Sequence, residues 1–426
     1  MISPAQPTLF KSNTPRVGVL QLGDGKGRAH QFTYGLDAVC NELSVNVTKE
    51  LTPETVNDCD IALCSLCSVQ DTLALICALD ERPRSRLIVG GHGVYPFLAW
   101  RHLAHRIVFG RTEDAVDSCI LGTDPLPFCY DYDADPQVAN KYQIRRARRL
   151  LEGEQSVGCG GYCTFCQYRA TRPPFGGGYG NSNRGSVVLE DRWDSIKAQP
   201  GQQTTALDGF SEATRKRVHK PVDDEQIIEK LSWCLHRVSG IMRLKVFQIV
   251  GYPWETAESV RDDVLHWREV LSKVRPGNPG ARIMMLVTTT PFSPEPLTPM
   301  EDDPANIETN WRDILLADEL RCIFDSPHLN AFFLPQIPGP LTLYKRVAVN
   351  RGASVDQLRG IARAKTIEEA VAIGGHLHEA GAGTRVSGIL SVERSNTSNT
   401  SLQGTGHLVD RTLQGVVGDQ NEGNKR

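Results

Sequence analysis

Cys159, Cys163 and Cys166 lie in the run Gly158-Cys-Gly-Gly-Tyr-Cys-Thr-Phe-Cys-Gln167, and their spacing suits one iron-sulfur cluster. A 4Fe-4S cube normally takes four thiolates, one for each iron. Three thiolates from one tight loop leave the fourth iron to another cysteine, a solvent molecule or a substrate, and an open iron is where chemistry can happen. The plainer reading is a zinc knot or three unrelated thiols. Zinc favours four nitrogen or sulfur ligands, usually as two separated pairs, and no fourth Cys or His stands within the loop.

The Cys-x-x-x-Cys-x-x-Cys spacing, with Phe165 just before the last cysteine, resembles the radical S-adenosylmethionine (radical SAM) superfamily. The resemblance implies that Cys159, Cys163 and Cys166 hold a 4Fe-4S cluster and that S-adenosylmethionine chelates the free iron. It further implies that an electron from the reduced cluster splits a carbon-sulfur bond to give a 5'-deoxyadenosyl radical, which abstracts hydrogen from a substrate. An electron donor such as flavodoxin or ferredoxin is then required.

The chain has 426 residues, a length that allows two or three domains. Lys+Arg 47 against Asp+Glu 50 gives a net charge of -3, so no overall basic field draws it to nucleic acid or anionic lipid. The first residues lack the apolar core of a secretory signal, and no run is long and apolar enough for a bilayer. A cytoplasmic protein without a membrane partner is expected. Its 12 cysteines then read as reduced thiols.

These pieces need a scaffold. After an extension over 1–15, residues 16–122 alternate short apolar runs with helical patterns. Val17 to Leu22, Asp60 to Cys64, Leu87 to Val89 and Ile107 to Phe109 read as strands buried on both faces, separated by helices such as the one carrying Leu36, Val39, Cys40 and Leu43. The expectation is an α/β fold with an N-terminal doubly wound, Rossmann-like parallel sheet. Leu87-Ile-Val-Gly-Gly-His-Gly93 and Arg106-Ile-Val-Phe-Gly-Arg-Thr-Glu-Asp114 resemble the cobalamin-binding domain that precedes many radical SAM domains. Lys26, in Asp24-Gly-Lys-Gly-Arg-Ala29, stands where a cobalamin-ligating histidine would be, so cobalamin without histidine ligation and a cofactor-free scaffold both remain open. The pair Cys64 and Cys67 reads as structural thiols. A polar linker spans 123–149 and includes a cluster of arginines.

From Leu150 the alternation resumes, and the resemblance implies a partial (β/α)6 radical SAM barrel over 150–350. A first strand near Leu150 to Val157 would place the cysteine loop at the mouth where strand ends converge. Thr204 to Arg215 resembles a segment whose Ser211 and Arg215 would face S-adenosylmethionine, an arginine fork being suited to a carboxylate. Alternatively Ser211 caps a helix and Arg215 lies on its surface. Val222 to Val238 reads as an amphipathic helix capped by Asp223, leading into a strand, Leu244 to Val250. Gly251-Tyr-Pro-Trp-Glu-Thr256 follows, resembling the Gly-x-Pro-x-Glu-Thr turn in which Gly251 approaches the adenine and Glu255 belongs to the same cofactor site. Glu255 and Thr256 could instead simply begin the next helix. That helix, with Val260, Val264, Leu265 and Leu271 inward, precedes a strand over Ile283 to Val287 and a Thr-Pro-Phe turn.

The family's Gly-Gly-Glu motif has no good match between Cys166 and Thr204; that interval holds the glycine-rich Phe175 to Asn181 and a short strand over Ser186 to Leu189, and Glu190 is a weak substitute. Leu334 to Pro340 reads as a proline-rich turn, 351–395 as a helical segment and 396–426 as a disordered tail. The substrate, whether a small molecule, a nucleoside or a nucleic acid, is not readable, and no catalytic side chain stands out. Two alternatives accompany the radical SAM reading: a cobalamin-dependent methyltransferase and a non-catalytic iron-sulfur or cobalamin sensor.

Overall fold

The computed structural model describes residues 14–22, 34–66, 68–91, 94, 103–112, 116–122, 129–131, 156–157, 163–168, 175–176, 193, 196–220 and 222–381. Cys159, Lys26, Cys67, Glu190, the linker arginines, the strand expected over Ser186 to Leu189 and the tail from 396 lie outside them.

Strands β1 (Val17–Leu20), β2 (Val47–Leu51), β3 (Ile61–Ser65), β4 (Arg86–Gly90), β5 (Arg106–Val108) and β6 (Cys129–Asp131) form one sheet in the order β2-β1-β3-β4-β5-β6. The pairs among β1 to β5 are parallel, and β6 runs antiparallel at the edge. Side chains alternate between faces. Val17, Val19, Ile61, Leu63, Ile88 and Val108 meet Val39, Cys40 and Leu43 around helix α1 (Tyr34–Glu42) and Val116, Cys119 and Ile120 of α3 (Val116–Ile120). Leu20, Ala62, Cys64, Leu87, Val89 and Ile107 face the other way, onto Leu75 and Ile76 of α2 (Val69–Ala78). Helices therefore cover both faces, as the doubly apolar strands require.

The second sheet joins β9 (Gly201–Ala206), β10 (Ile241–Val250), β11 (Arg282–Pro291), β12 (Cys322–Asp325) and β13 (Leu329–Phe333) in the order β12-β13-β11-β10-β9. Its pairs are parallel except β12 with β13. Among the described residues this is a five-stranded mixed sheet, not the expected six parallel units. Helices α4 (Glu212–Arg217), α5 (Asp224–Leu235), α6 (Ala257–Ser272), α7 (Trp311–Leu315) and α8 (Asp318–Arg321) accompany it. Asp223 caps α5 in a reciprocal box with Gln226. The helix buries Ile227, Ile228, Leu231, Cys234 and Leu235 against Met242, Leu244 and Val246 of β10; burying each large aliphatic side chain contributes about 1.5–3 kcal/mol.

Two expectations change. The described remainder of the strand expected over Leu150 to Val157 is β7 (Ser156–Val157), which pairs antiparallel with β8 (Phe175–Gly176) rather than joining the large sheet. Residues 150–155 of that expected strand lie outside the described residues. The region around Leu334 to Pro340 also does more than turn. Gly339 is the N-cap and Pro340 the first residue of α9 (Pro340–Asn350). With α10 (Val355–Arg363) and α11 (Ile367–Gly374), α9 shares the core beneath α2 and the first sheet. Arg359 of α10 seals this union by donating to the carbonyls of Ile76, Leu79 and Asp80. No described helix is long and apolar enough to cross a membrane.

Candidate active site

Parallel strands bring their carboxyl ends to one side of a sheet, and the candidate residues lie on the loops beyond those ends in β9, β10 and β11. At β9 the amides of Leu207 and Asp208 both donate to the Phe247 carbonyl. Asp208 then turns through a left-handed φ of 58°, a conformation that aspartate tolerates better than most residues. Its carboxylate pairs with Lys220 at 2.9 Å, both side chains being largely buried.

Ser211 is the N-cap of α4 and accepts the Thr214 amide proton, so of its two readings the capping one is present. Arg215 is fully buried. Its guanidinium donates to the carbonyls of Gly209 (3.2 Å), Phe210 (2.6 Å) and Val222 (2.6 Å) and pairs with Asp224. It does not lie on the helix surface, and four of its five N–H donors go to those three carbonyls and Asp224. In this arrangement Arg215 braces the segment from Gly209 to Asp224.

At the end of β10, Gly251 has φ +74°, and a Cβ there would stand 2.7 Å from Nε1 of Trp311. Only glycine meets both conditions. Glu255 folds back to accept the backbone amides of Tyr252 and Gly251 and the Thr214 hydroxyl. Burial pushes its carboxyl up to about 7, against the opposing pull of those hydrogen bonds. Glu255 thus ties α4 to the turn, while Thr256 caps α6 in a box with Ser259 as expected. Tyr252 is buried, its hydroxyl donating to the Asp208 carbonyl at 2.9 Å.

The cysteine turn docks onto this platform. Within it the Cys166 amide donates to the Cys163 carbonyl at 3.4 Å. Two segments then hold it, one after α4 and one after β11: the Thr164 amide donates to Val218 O (3.2 Å), the Thr164 hydroxyl to Met300 Sδ (3.2 Å) and the Gln167 amide to Glu295 Oε2 (2.9 Å). Phe165 lies 6.1 Å from Tyr252, ring to ring, in an apolar group with Val218, Phe292 and Met300. Tyr252 stacks in turn on Trp254, which carries Arg217 over its other face at 3.8 Å.

Cys163 and Cys166 are half-buried. Burial pushes the Cys166 thiol well up, and the negative charges of Glu295, Cys163 and Asp208 push the same way. Unaided, that thiol stays neutral; a bound cationic metal core supplies the charge that makes it a ligand. Two thiols on one tight turn, with acidic neighbours and no nearby cation among the named influences on Cys166, fit such a core.

Sequence reasoning missed Asp208, Lys220, Tyr252, Glu295 and Arg346. Glu295 is a carboxylate between two prolines, Pro294 and Pro296, in an apolar stretch, which is a readable oddity. Burial raises its pKa while Arg346, on α9, opposes the rise. Nothing local in the sequence could bring Arg346 to this loop.

No protein-family model matches the chain, and no curated protein matches it. Among solved structures it is similar to OxsB, a cobalamin-dependent S-adenosylmethionine radical enzyme. With aqua-cobalamin and S-adenosylmethionine bound, that structure has 12% identity and a TM-score of 0.26 over 91% of this chain and 62% of the other. An apo, selenomethionine-labelled form gives 12% identity and a TM-score of 0.23 over 89% and 58%. The chain spans roughly three-fifths of the length of those chains, and at such TM-scores the likeness carries no argument.

Proposed function

We propose that the chain is a radical SAM enzyme in which Cys159, Cys163 and Cys166 hold a 4Fe-4S cluster with one iron open to S-adenosylmethionine. One observation carries the reading: Cys163, Phe165 and Cys166 sit on a turn that is hydrogen-bonded to Val218 after α4 and to Glu295 and Met300 in the segment after β11, with Phe165 set against Tyr252 at the end of β10. When bound, the cluster supplies one electron for reductive cleavage of S-adenosylmethionine to a 5'-deoxyadenosyl radical.

The chain's own residues do the holding. Phe165 wedges the turn against Tyr252 and keeps water from that side of the thiols. Gly251 lets the turn pack against Trp311, so that the neighbouring backbone is available to an adenine ring, and Glu255 fixes that turn. Ser211 and Arg215 set the shape of the adjoining loop. Burial keeps the Glu295 carboxyl toward its protonated form beside the turn, with Gln167 occupying Oε2. The substrate is a small molecule, a nucleoside or a nucleic acid, and reduction comes from a flavodoxin- or ferredoxin-like donor.

The second reading, cobalamin-dependent methyl transfer, draws on the first sheet. Its strand order reverses direction between β1 and β3, and ligands of doubly wound sheets bind in the crevice at that point.

Anaerobic reconstitution tests both. The enzyme reading expects about four irons per chain, loss of them in Cys163→Ala, and dithionite-dependent 5'-deoxyadenosine from S-adenosylmethionine. An intact cluster without that product points instead to a sensor. Protein made with cobalamin supplied and isolated free of cobalt eliminates methyl transfer.

A further inference from the structure

The turn after α11 carries Gly375-His-Leu-His-Glu379, which the chemistry of the cysteine turn does not use. His376, His378 and Glu379 each offer one ligand atom, an imidazole nitrogen or a carboxylate oxygen, and these three atoms lie within 4.8 Å of one another. His376 Nδ1 and Glu379 Oε1 are 2.9 Å apart. The two imidazole rings are 6.0 Å apart, centroid to centroid. Among the described residues no other three His, Cys, Asp or Glu side chains converge in this way. A second observation is independent of the clustering: Nδ1 of His378 is buried with no hydrogen-bond partner, a condition that buried polar atoms seldom keep.

The backbone of the turn is held in place by the rest of the fold. Gly375 adopts φ +69° at the end of α11, and its carbonyl accepts the Tyr344 hydroxyl at 2.7 Å. The Ala305 amide donates to the His378 carbonyl at 2.8 Å, and the Gly381 amide to Asp302 O at 2.9 Å. Buried Arg351 donates to Asp303 O and reaches the Glu379 carbonyl. The surroundings are acidic, with Glu301, Asp302 and Asp303 close enough to act on Arg351 and Glu308 on His378. These carboxylates outnumber the Arg351 charge beside them, and the fixed backbone leaves only side-chain rotation to be ordered on binding.

We propose that His376, His378 and Glu379 form a divalent transition-metal site, occupied by zinc, with water completing the coordination. Two imidazoles and a carboxylate suit zinc, whereas magnesium and calcium take oxygen ligands. Zinc bonds of about 2.0–2.2 Å set tetrahedral donors roughly 3.3 Å apart. The present spacing brackets that value, so rotation of the two exposed side chains, His376 and Glu379, brings the donors into place. The bound ion cross-links the side chains of the turn that follows α11. The site shares no residue with the cysteine turn and stands apart from the radical SAM reading.

The test titrates zinc chloride into the full-length, anaerobically reconstituted protein by calorimetry, with iron and zinc measured in the same samples. One zinc per chain is expected, with affinity falling at least ten-fold in His376→Ala and in Glu379→Gln while iron content is unchanged. Removing even an outer-shell partner costs about 10–100-fold. Both positions are exposed, so these variants keep the fold, as circular dichroism verifies; His378→Ala is the less safe variant. Unchanged zinc affinity in both variants overturns the site. So does zinc that persists in them and disappears in Cys163→Ala, because that ion belongs to the cysteine turn.

Discussion

Replacing Glu255 by Gln should remove a pH-dependent weakness from the fold. The carboxyl sits buried between the Tyr252 and Gly251 amides and the Thr214 hydroxyl, and burial raises its pKa from 4.5 to about 7. Between those values the folded protein binds more protons here than the unfolded chain, so stability falls as pH rises through the window and levels off above it. At about 1.36 kcal/mol per unit, the shift amounts to about 3 kcal/mol at pH 8, of which about 2.5 kcal/mol is lost between pH 5 and pH 8. The substituted side chain carries no charge at any of these pH values, while its amide oxygen still accepts the backbone amides and its NH2 can donate to Thr214. The assay is urea unfolding of the ligand-free protein, followed by tryptophan fluorescence, since Trp311 packs on Gly251 and Trp267 lies in the same core. The slope of stability against pH from 5 to 8 should be flatter in the variant by about 2.5 kcal/mol over the interval. Asp263 and Glu295 also have raised pKa values, but they are present in both proteins and drop out of the difference. Parallel slopes would refute the reasoning, because Glu255 would then be ionised in the fold as readily as outside it.

Gly251→Ala should destabilise by about 2–5 kcal/mol, combining the left-handed backbone penalty with overpacking against the Trp311 indole; adding Trp311→Leu should return only the packing part, and a loss below about 1 kcal/mol by urea unfolding contradicts this. Arg215→Met should cost about 3–5 kcal/mol, since three carbonyls and Asp224 lose a fully buried partner. Arg215→Lys should recover little of that, because a point charge cannot span the fork, and a near-neutral Arg215→Met in the same assay would deny the guanidinium its part in bracing the loop. Phe165→Ala should leave iron binding by the thiols but loosen the turn, read as faster loss of the cluster's visible absorbance in air; an unchanged rate denies Phe165 its shielding part.

How much of this was legible from sequence depends on whether the cause was local. The strands of the first sheet could be read because each is apolar on both faces, and Val17, Ile61, Leu87 and Ile107 all fall inside strands. The caps Asp223 and Thr256 could be read because a capping box lies within four residues. The failures are long-range. Pro340 at the first position of α9 is itself a helix-start signal, masked by the prolines preceding it. That α9, α10 and α11 complete the core under α2 depends on contacts such as Arg359 with Ile76, across 283 residues, which no window detects.

Arg215 shows why the candidate site was harder to read than the fold. A loop of the form Ser211-x-x-x-Arg215 resembles a ligand-facing arginine, yet the same spacing puts the guanidinium within reach of three loop carbonyls when α4 turns its far side inward. Residue type and distance along the helix are local properties. Which face is buried is not, because that is decided by Val222 and Asp224 arriving from the next connection. The converse holds for Glu295. Its proline-flanked carboxylate is readable as an oddity but not as to role, which comes from the Gln167 amide that donates to it and from Arg346 of α9 acting on it. Both influences reach Glu295 from parts of the chain far from it in sequence, where a local window carries no information.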